Sequence, residues 1–234
     1  MATYGEIQTR VERRVIDLPS AVAAEVPALV AEAVRELQDG YDFIIMEALG
    51  GPYTTVASTR ALVAKPSDWK KPRGDPYMEF DVNGRVKDIP WASSRMAVLD
   101  LIPPEDTGMP KYLLLGEPTD EAGAQSIEIW PLTDTNSDYS DGEYRLYVPY
   151  WKYLTTLSDD ADTNWFTVNA ELYIIHNATA RAFELDWDEE RMSIHKQLAA
   201  EQLKRVKMLD KTMRLAKNDT LMFHKGALAP RLRT

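Results

Sequence analysis

Four groups of side chains in this sequence could do chemistry. The run Asp134-Thr-Asn136-Ser-Asp138 sets oxygen ligands at alternate positions, as the start of an EF-hand calcium loop does. That loop needs glycine at its sixth position and a bidentate glutamate at its twelfth, where this chain has Tyr139 and Arg145. The run is therefore assigned to a solvated loop before a strand. Asp186, Asp188, Glu189 and Glu190 could hold a metal or share a proton, because crowded carboxylates shift one another's pKa. They stand where a helix begins, so capping of free N–H groups and attraction to the helix dipole account for them. His176, His195 and His224 are the histidines, and no two share the i, i+4 spacing of a metal pair on one helix. Tyr144, Tyr147, Tyr150, Trp151 and Tyr153 could stack on a base or a sugar. Strand alternation competes: Tyr144, Leu146 and Val148 face one side, Arg145 and Tyr147 the other. No cluster of arginine or lysine accompanies the rings, which favours packing between the β region and the helices. A small-ligand or polysaccharide-binding protein using this aromatic platform is the alternative reading. There is no Gly-x-Ser-x-Gly elbow and no glycine-rich phosphate loop, and the chain contains no cysteine. The reading is a protein without catalysis, cofactor or metal.

The elements around these groups follow from periodicity. Tyr4, Ile7, Val11, Val15 and Leu18 form one apolar stripe and predict a helix over about 4–18. A second stripe at Val26, Val30, Ala33, Leu37, Tyr41, Ile44 and Ala48 predicts a helix that stops at Gly50-Gly51-Pro52. From Pro52 to Tyr150 the texture is short β-branched and aromatic runs cut by turn residues, which predicts antiparallel strands. Expected strands are Thr54–Ala64, a hairpin Tyr77–Val82 and Arg85–Ile89 around Asn83-Gly84, then Lys111–Leu115, Ser126–Trp130 and Glu143–Val148. The acidic loop Glu117–Gln125 is expected to project into solvent or toward a partner. Helices return over Trp165–Leu185 and from Asp188 to about Lys217. The expected fold is α+β: a helix bundle built from both chain ends, an inserted antiparallel β region and an extended C-terminal arm. Its parts are residues 1–51, 52–150, 151–217 and 218–234.

The chain has 234 residues with 27 basic and 37 acidic side chains, a formal net charge of −10. Its ordinary apolar and charged fractions exclude fibrous and low-complexity classes, and its acidity argues against gripping a duplex, which needs a positive footprint. The polar start and the lack of any long apolar run predict a soluble, unexported protein with no membrane partner. Charge is segregated. Residues 134–190 carry thirteen acids and three bases, whereas residues 191–234 carry eleven bases and three acids. Such opposed blocks let adjacent copies meet head to tail.

The order of motifs resembles a known family. Leu37-x-x-Gly-Tyr-Asp-Phe43 closes the second amphipathic segment, followed by Leu62-Val-Ala-Lys-Pro-Ser-Asp-Trp69, Pro110-Lys-Tyr112, Ile127-Glu-Ile-Trp-Pro131 and Tyr144-Arg-Leu-Tyr-Val-Pro-Tyr-Trp151. Ala178-Thr-Ala-Arg-Ala182 then leads through Trp187 into a long charged helix. This series is similar to the head-to-tail adaptor (connector) proteins of tailed bacteriophages. The resemblance implies a structural protein of the virion neck, assembled in the host cytoplasm as a ring of twelve copies beneath the portal. It implies as partners the portal protein, a downstream tail protein and genomic DNA that passes without being held. The C-terminal segment would dock on the portal, with Met222, Phe223 and Leu228 as apolar anchors and Lys225, Arg231 and Arg233 as charge partners. An arm of this composition needs a partner surface to order it, against about 1–2 kcal/mol of backbone entropy per residue.

Overall fold

A computed structural model describes residues 1–79, 86–116, 125–135 and 143–227, with side chains through Lys217. Helix α1 (Tyr4–Glu12) starts at a capping box, in which the Glu6 N–H donates to Thr3 Oγ1 (3.3 Å) and the Thr3 N–H to Glu6 Oε2 (3.1 Å). It stops short of Leu18. The β-branched pair Val15-Ile16 lowers helix propensity, and the chain leaves by single turns such as Leu18 N–H to Val15 O (3.0 Å) that still bury Val15 and Leu18. After α2 (Ser20–Ala24), α3 (Val26–Gly40) carries Pro27 in its first turn, where no helical bond is lost. Its apolar face, including Val26, Val30, Ala33 and Leu37, is buried.

α3 ends at Gly40 and does not reach Gly50. Tyr41 is extended, Ile44–Met46 form one 3-10 turn, and Glu47–Thr54 are a strand, β1. The spacing of Tyr41, Ile44 and Ala48 suits a helix, but Gly40 weakens the helix there and a distant carboxylate takes the Ile44 N–H. β1 passes through Gly50-Gly51-Pro52, with a cis Gly51–Pro52 peptide. Gly51 has φ +113°, and a Cβ on it would lie 2.5 Å from the Leu146 carbonyl, so only glycine fits.

The strands continue with β2 (Ala61–Ala64), β3 (Trp69–Pro72), β4 (Tyr77–Glu79) and β5 (Val86–Asp88). Helix α4 (Arg95–Leu99) then precedes β6 (Thr107–Gly108), β7 (Tyr112–Leu115), β8 (Ser126–Trp130), β9 (Leu132–Thr133) and β10 (Arg145–Lys152). One sheet has the order β1-β10-β4-β5, with β3 also on β10; a second is β2-β8-β7; β6 and β9 form a short parallel pair. The strand expected over Thr54–Ala64 is divided between β1 and β2, and β3 and α4 are additional to the expected elements. The β4–β5 pairing, with Glu79 opposite Val86, is the expected hairpin. Its Asn83-Gly84 turn, residues 117–124 of the acidic loop and the calcium-like run from Asn136 lie outside the described residues. The core here is Met78, Ile89, Leu113, Ile127, Ile129, Leu146 and Val148.

A helix expected over Trp165–Leu185 is interrupted at Ala170, giving α5 (Trp165–Asn169) and α6 (Glu171–Leu185). α6 buries Ile174, Ile175, Ala178, Thr179, Ala182 and Phe183. Small residues on this helix let α3 and α7 approach closely, and each large apolar side chain buried contributes about 1.5–3 kcal/mol. α7 (Glu189–Ala227) is longer than expected. Residues 218–227, read above as an extended arm, are helical: this segment contains no proline, and Gly226 sits near the helix end. Residues 1–46 together with the chain from Leu154 onward form one compact unit, and residues 47–153 form a second. The fold is α+β, helices from both chain ends with antiparallel sheet between them in sequence.

Candidate functional site

The docking residues expected at the C-terminus divide between two settings. Met222, Phe223 and Lys225 stand on the last turns of α7, and Leu228, Arg231 and Arg233 lie outside the described residues. What the structure supplies in detail is the root of the helix that carries them. Asp210 is fully buried. Its Oδ1 accepts the Ile44 N–H at 2.6 Å and its Oδ2 accepts Arg214 Nε at 2.7 Å, while Arg214 also donates to the Asp42 carbonyl. A buried carboxylate held by a backbone N–H and a guanidinium is satisfied on both oxygens, which is the condition under which burying its charge is tolerated. Beside it Lys207 lies 4.9 Å over the Tyr41 ring, and Phe43 packs on Tyr41, Trp165 and Phe166 with centroids 4.6 to 5.5 Å apart. The cluster bolts α7 to the segment that leaves α3. Sequence reading missed Asp210, whose one local signal was the i, i+4 spacing to Arg214.

The same stretch of α7 carries a basic face. Lys204, Arg205 and Lys211 are exposed, and Met208 and Leu215 are exposed on the same side at steps of three and four. On α3, Glu32 and Glu36 are bridged by Arg181 of α6 at 2.8 and 2.9 Å, and Asn177 also donates to Glu36 (2.9 Å). These bonds hold the Glu36 carboxyl below the usual carboxylate range against the opposing effect of its partial burial.

The acidic cluster is a cap. Asp188 Oδ1 accepts the Arg191 N–H (2.9 Å) and Oδ2 pairs with Arg191 Nε (2.5 Å), while Arg191 reaches Asp17 (2.5 Å). The Arg191 backbone and side-chain donors lower the Asp188 pKa, so it holds a negative charge at the helix start. The histidines behave differently from their spacing. His176 and His195 come together with Nδ1 atoms 3.1 Å apart, and Arg14 Nη1 donates to His176 Nδ1 at 3.1 Å. Burial, then the Arg14 charge, then His195 push the His176 pKa down to about 4, and burial and Arg14 lower that of His195 as well. Among the described residues no group of three His, Asp or Glu side chains is placed to bind a metal.

Two rings of the aromatic run, Tyr147 and Tyr150, are paired inside the β unit. β4 sets Tyr77 opposite Tyr147, and the rings stack at 4.9 Å; Trp69 of β3 stacks on Tyr150 at 4.8 Å and meets Trp91 edge-on. Tyr150 OH donates to Asp68 (3.0 Å), and burial with that carboxylate pushes its pKa up to about 12. These faces are occupied by one another. Asp134, the first of the calcium-like ligands, accepts a bond from Tyr144 OH at 2.7 Å.

No helix among the described residues is long and apolar enough to cross a membrane. No curated protein matches the chain. A family model described as SU10 adaptor protein matches residues 2–220, both helical ends and the whole β region. The chain belongs to the SU10 adaptor protein family and is a structural head-to-tail adaptor of the tailed-phage type that its ordered motifs resemble.

Proposed function

We propose that this protein forms a closed ring of twelve copies beneath the portal, joins the head to a downstream tail protein and lines the DNA channel without catalysing a reaction. The observation that carries the reading is the family match across residues 2–220. The charge pattern supports it: a basic C-terminal block and an acidic middle in one chain suit copies meeting head to tail, and acidic walls repel phosphates so that DNA slides. The segment 218–234 is the docking arm for the portal. Met222, Phe223 and Leu228 provide apolar anchors, with Lys225, Arg231 and Arg233 as charge partners. α7 delivers this arm from a root fixed by Asp210 and Arg214. A helical start to the arm suits the role, because part of its ordering cost is met before docking.

Truncation after Lys217 tests the arm. The shortened chain is expected to keep its helical circular dichroism, apart from the missing turns, and to lose attachment to portal-bearing heads. Attachment at the full-length level would overturn the assignment of the arm.

A further inference from the structure

α7 packs on its neighbours with one face and leaves the opposite face bare. Ala199, Val206 and Asp210 are buried on the inner side. On the outer side Ile194, Met208 and Leu215 are 50, 71 and 58% exposed, and they stand fourteen and seven residues apart. Those intervals are whole heptads, which return to nearly the same side of a helix. Glu190, Glu201, Lys204 and Lys211 share the face, since at about 100° per residue all of them fall within the same arc of about 100° opposite Val206.

The charges on this face are sorted. Its acids, Glu190 and Glu201, come first along the helix and its bases, Lys204 and Lys211, come after them. Among the described residues the ion pairs of α7 run through Arg191, Lys196, Asp210 and Arg214 and use none of these four. A face of this kind complements a second copy of itself turned end for end. With Glu201 at the two-fold axis, Ile194 of one copy meets Met208 of the other, each seven residues from the axis, and Glu190 comes beside Lys211. Both contacts occur twice. The two Glu201 carboxylates approach each other at the axis, each with Lys204 of its own chain three residues on, where a helix brings side chains together. A parallel pair would instead set Glu190 on Glu190 and Lys211 on Lys211, so charge selects the antiparallel arrangement.

We propose that two copies of this protein, when not on a particle, pair antiparallel through the outer face of α7 about a two-fold axis at Glu201. An isologous contact closes on itself, so it makes a dimer and not a ring. Copies on a portal all point the same way, so the pair parts before its members enter the ring, and the proposal stands or falls apart from the ring reading above.

The chain has no cysteine, which permits a clean covalent test on the purified full-length protein. Glu201→Cys alone is expected to give a linked dimer on mild oxidation, because the axis brings its two thiols together within the roughly 7 Å between Cα atoms that a disulfide spans. Ile194→Cys alone is expected to give none, since antiparallel copies hold that position about 21 Å apart. Ile194→Cys with Met208→Cys is expected to link, its two sites being about 21 Å apart within one chain and opposed between chains. Sedimentation of the unaltered chain is expected to show a dimer. Glu190→Lys is expected to weaken it about tenfold, and Glu190→Lys with Lys211→Glu to restore it. A chain that sediments as a monomer at every concentration, self-linking by Ile194→Cys alone, or a Glu190→Lys dimer as tight as the unaltered one overturns the proposal, and none of these results bears on a ring counted in particles.

Discussion

The two units use aromatic residues in opposite ways. In the β unit, rings face rings: Trp69 lies on Tyr150 and Tyr77 on Tyr147, across neighbouring strands. In the helix unit Phe43, Trp165 and Phe166 are clustered, but Trp187 is turned out at a corner in a costly backbone conformation. The polar fastenings differ as well. Both units bury apolar side chains, but in the helix unit a fully buried carboxylate, Asp210, also ties α7 to Ile44, 166 residues away in sequence. A sheet that satisfies its own rings is a finished scaffold. The helical body leaves Trp187 and the basic face of Lys204, Arg205 and Lys211 in the open.

This contrast can be broken by substitution. Trp69→Ala removes a large buried ring and its stack, and is expected to cost about 3–5 kcal/mol in denaturant unfolding of the β unit. Trp187→Ala, by contrast, is expected to leave stability within about 0.5 kcal/mol. A Trp187 variant as destabilising as the Trp69 variant would erase the distinction. Asp210→Ala strands the Ile44 N–H and one bond of Arg214, at about 3 kcal/mol, with Asp210→Asn closer to the native value because it keeps an acceptor. Equal melting of Asp210→Ala and the native chain would deny the root of α7 its fastening.

The histidine pair sharpens the comparison through pH. The His176 pKa is depressed to about 4, so between the ordinary value of 6.5 and 4 the unfolded chain binds a proton that the folded chain refuses. Stability from this site is therefore full above pH 6.5 and declines as pH falls toward 4. His176→Gln is expected to flatten that slope, and an unchanged slope would assign it to other groups. A modest effect is expected for Tyr150→Phe, which keeps the stack and loses one bond to Asp68, at about 1 kcal/mol.

What could be read before the structure follows the range of the interactions. Ser126–Trp130 is a strand with its expected limits, and Tyr144, Leu146 and Val148 are buried on one face of β10 as alternation requires. Both depend on neighbours in sequence. The end of α3 was misread because Tyr41, Ile44 and Ala48 have helical spacing, while Ile44 is drawn into its 3-10 turn by a carboxylate 166 residues away. The histidine pair escaped for the same reason, since i, i+4 spacing tests one helix and His176 and His195 stand on two. For the acidic residues at 186–190 the helix-start reading agrees with the bonds of Asp188, because a cap is a local device. The open groove lined by Val168, Leu172, Gln202, Arg205, Val206 and Leu209 has no signal in the sequence, because no local pattern marks where α5, α6 and α7 converge.

The central claim is a ring adaptor in the virion neck, and an image of portal-bearing particles at a resolution sufficient to count subunits tests it most directly. The account predicts a closed ring of twelve copies of this chain against the portal, missing from particles made without it. Particles in which the chain is located elsewhere, or in which the neck is unchanged when the chain is withheld, would contradict it.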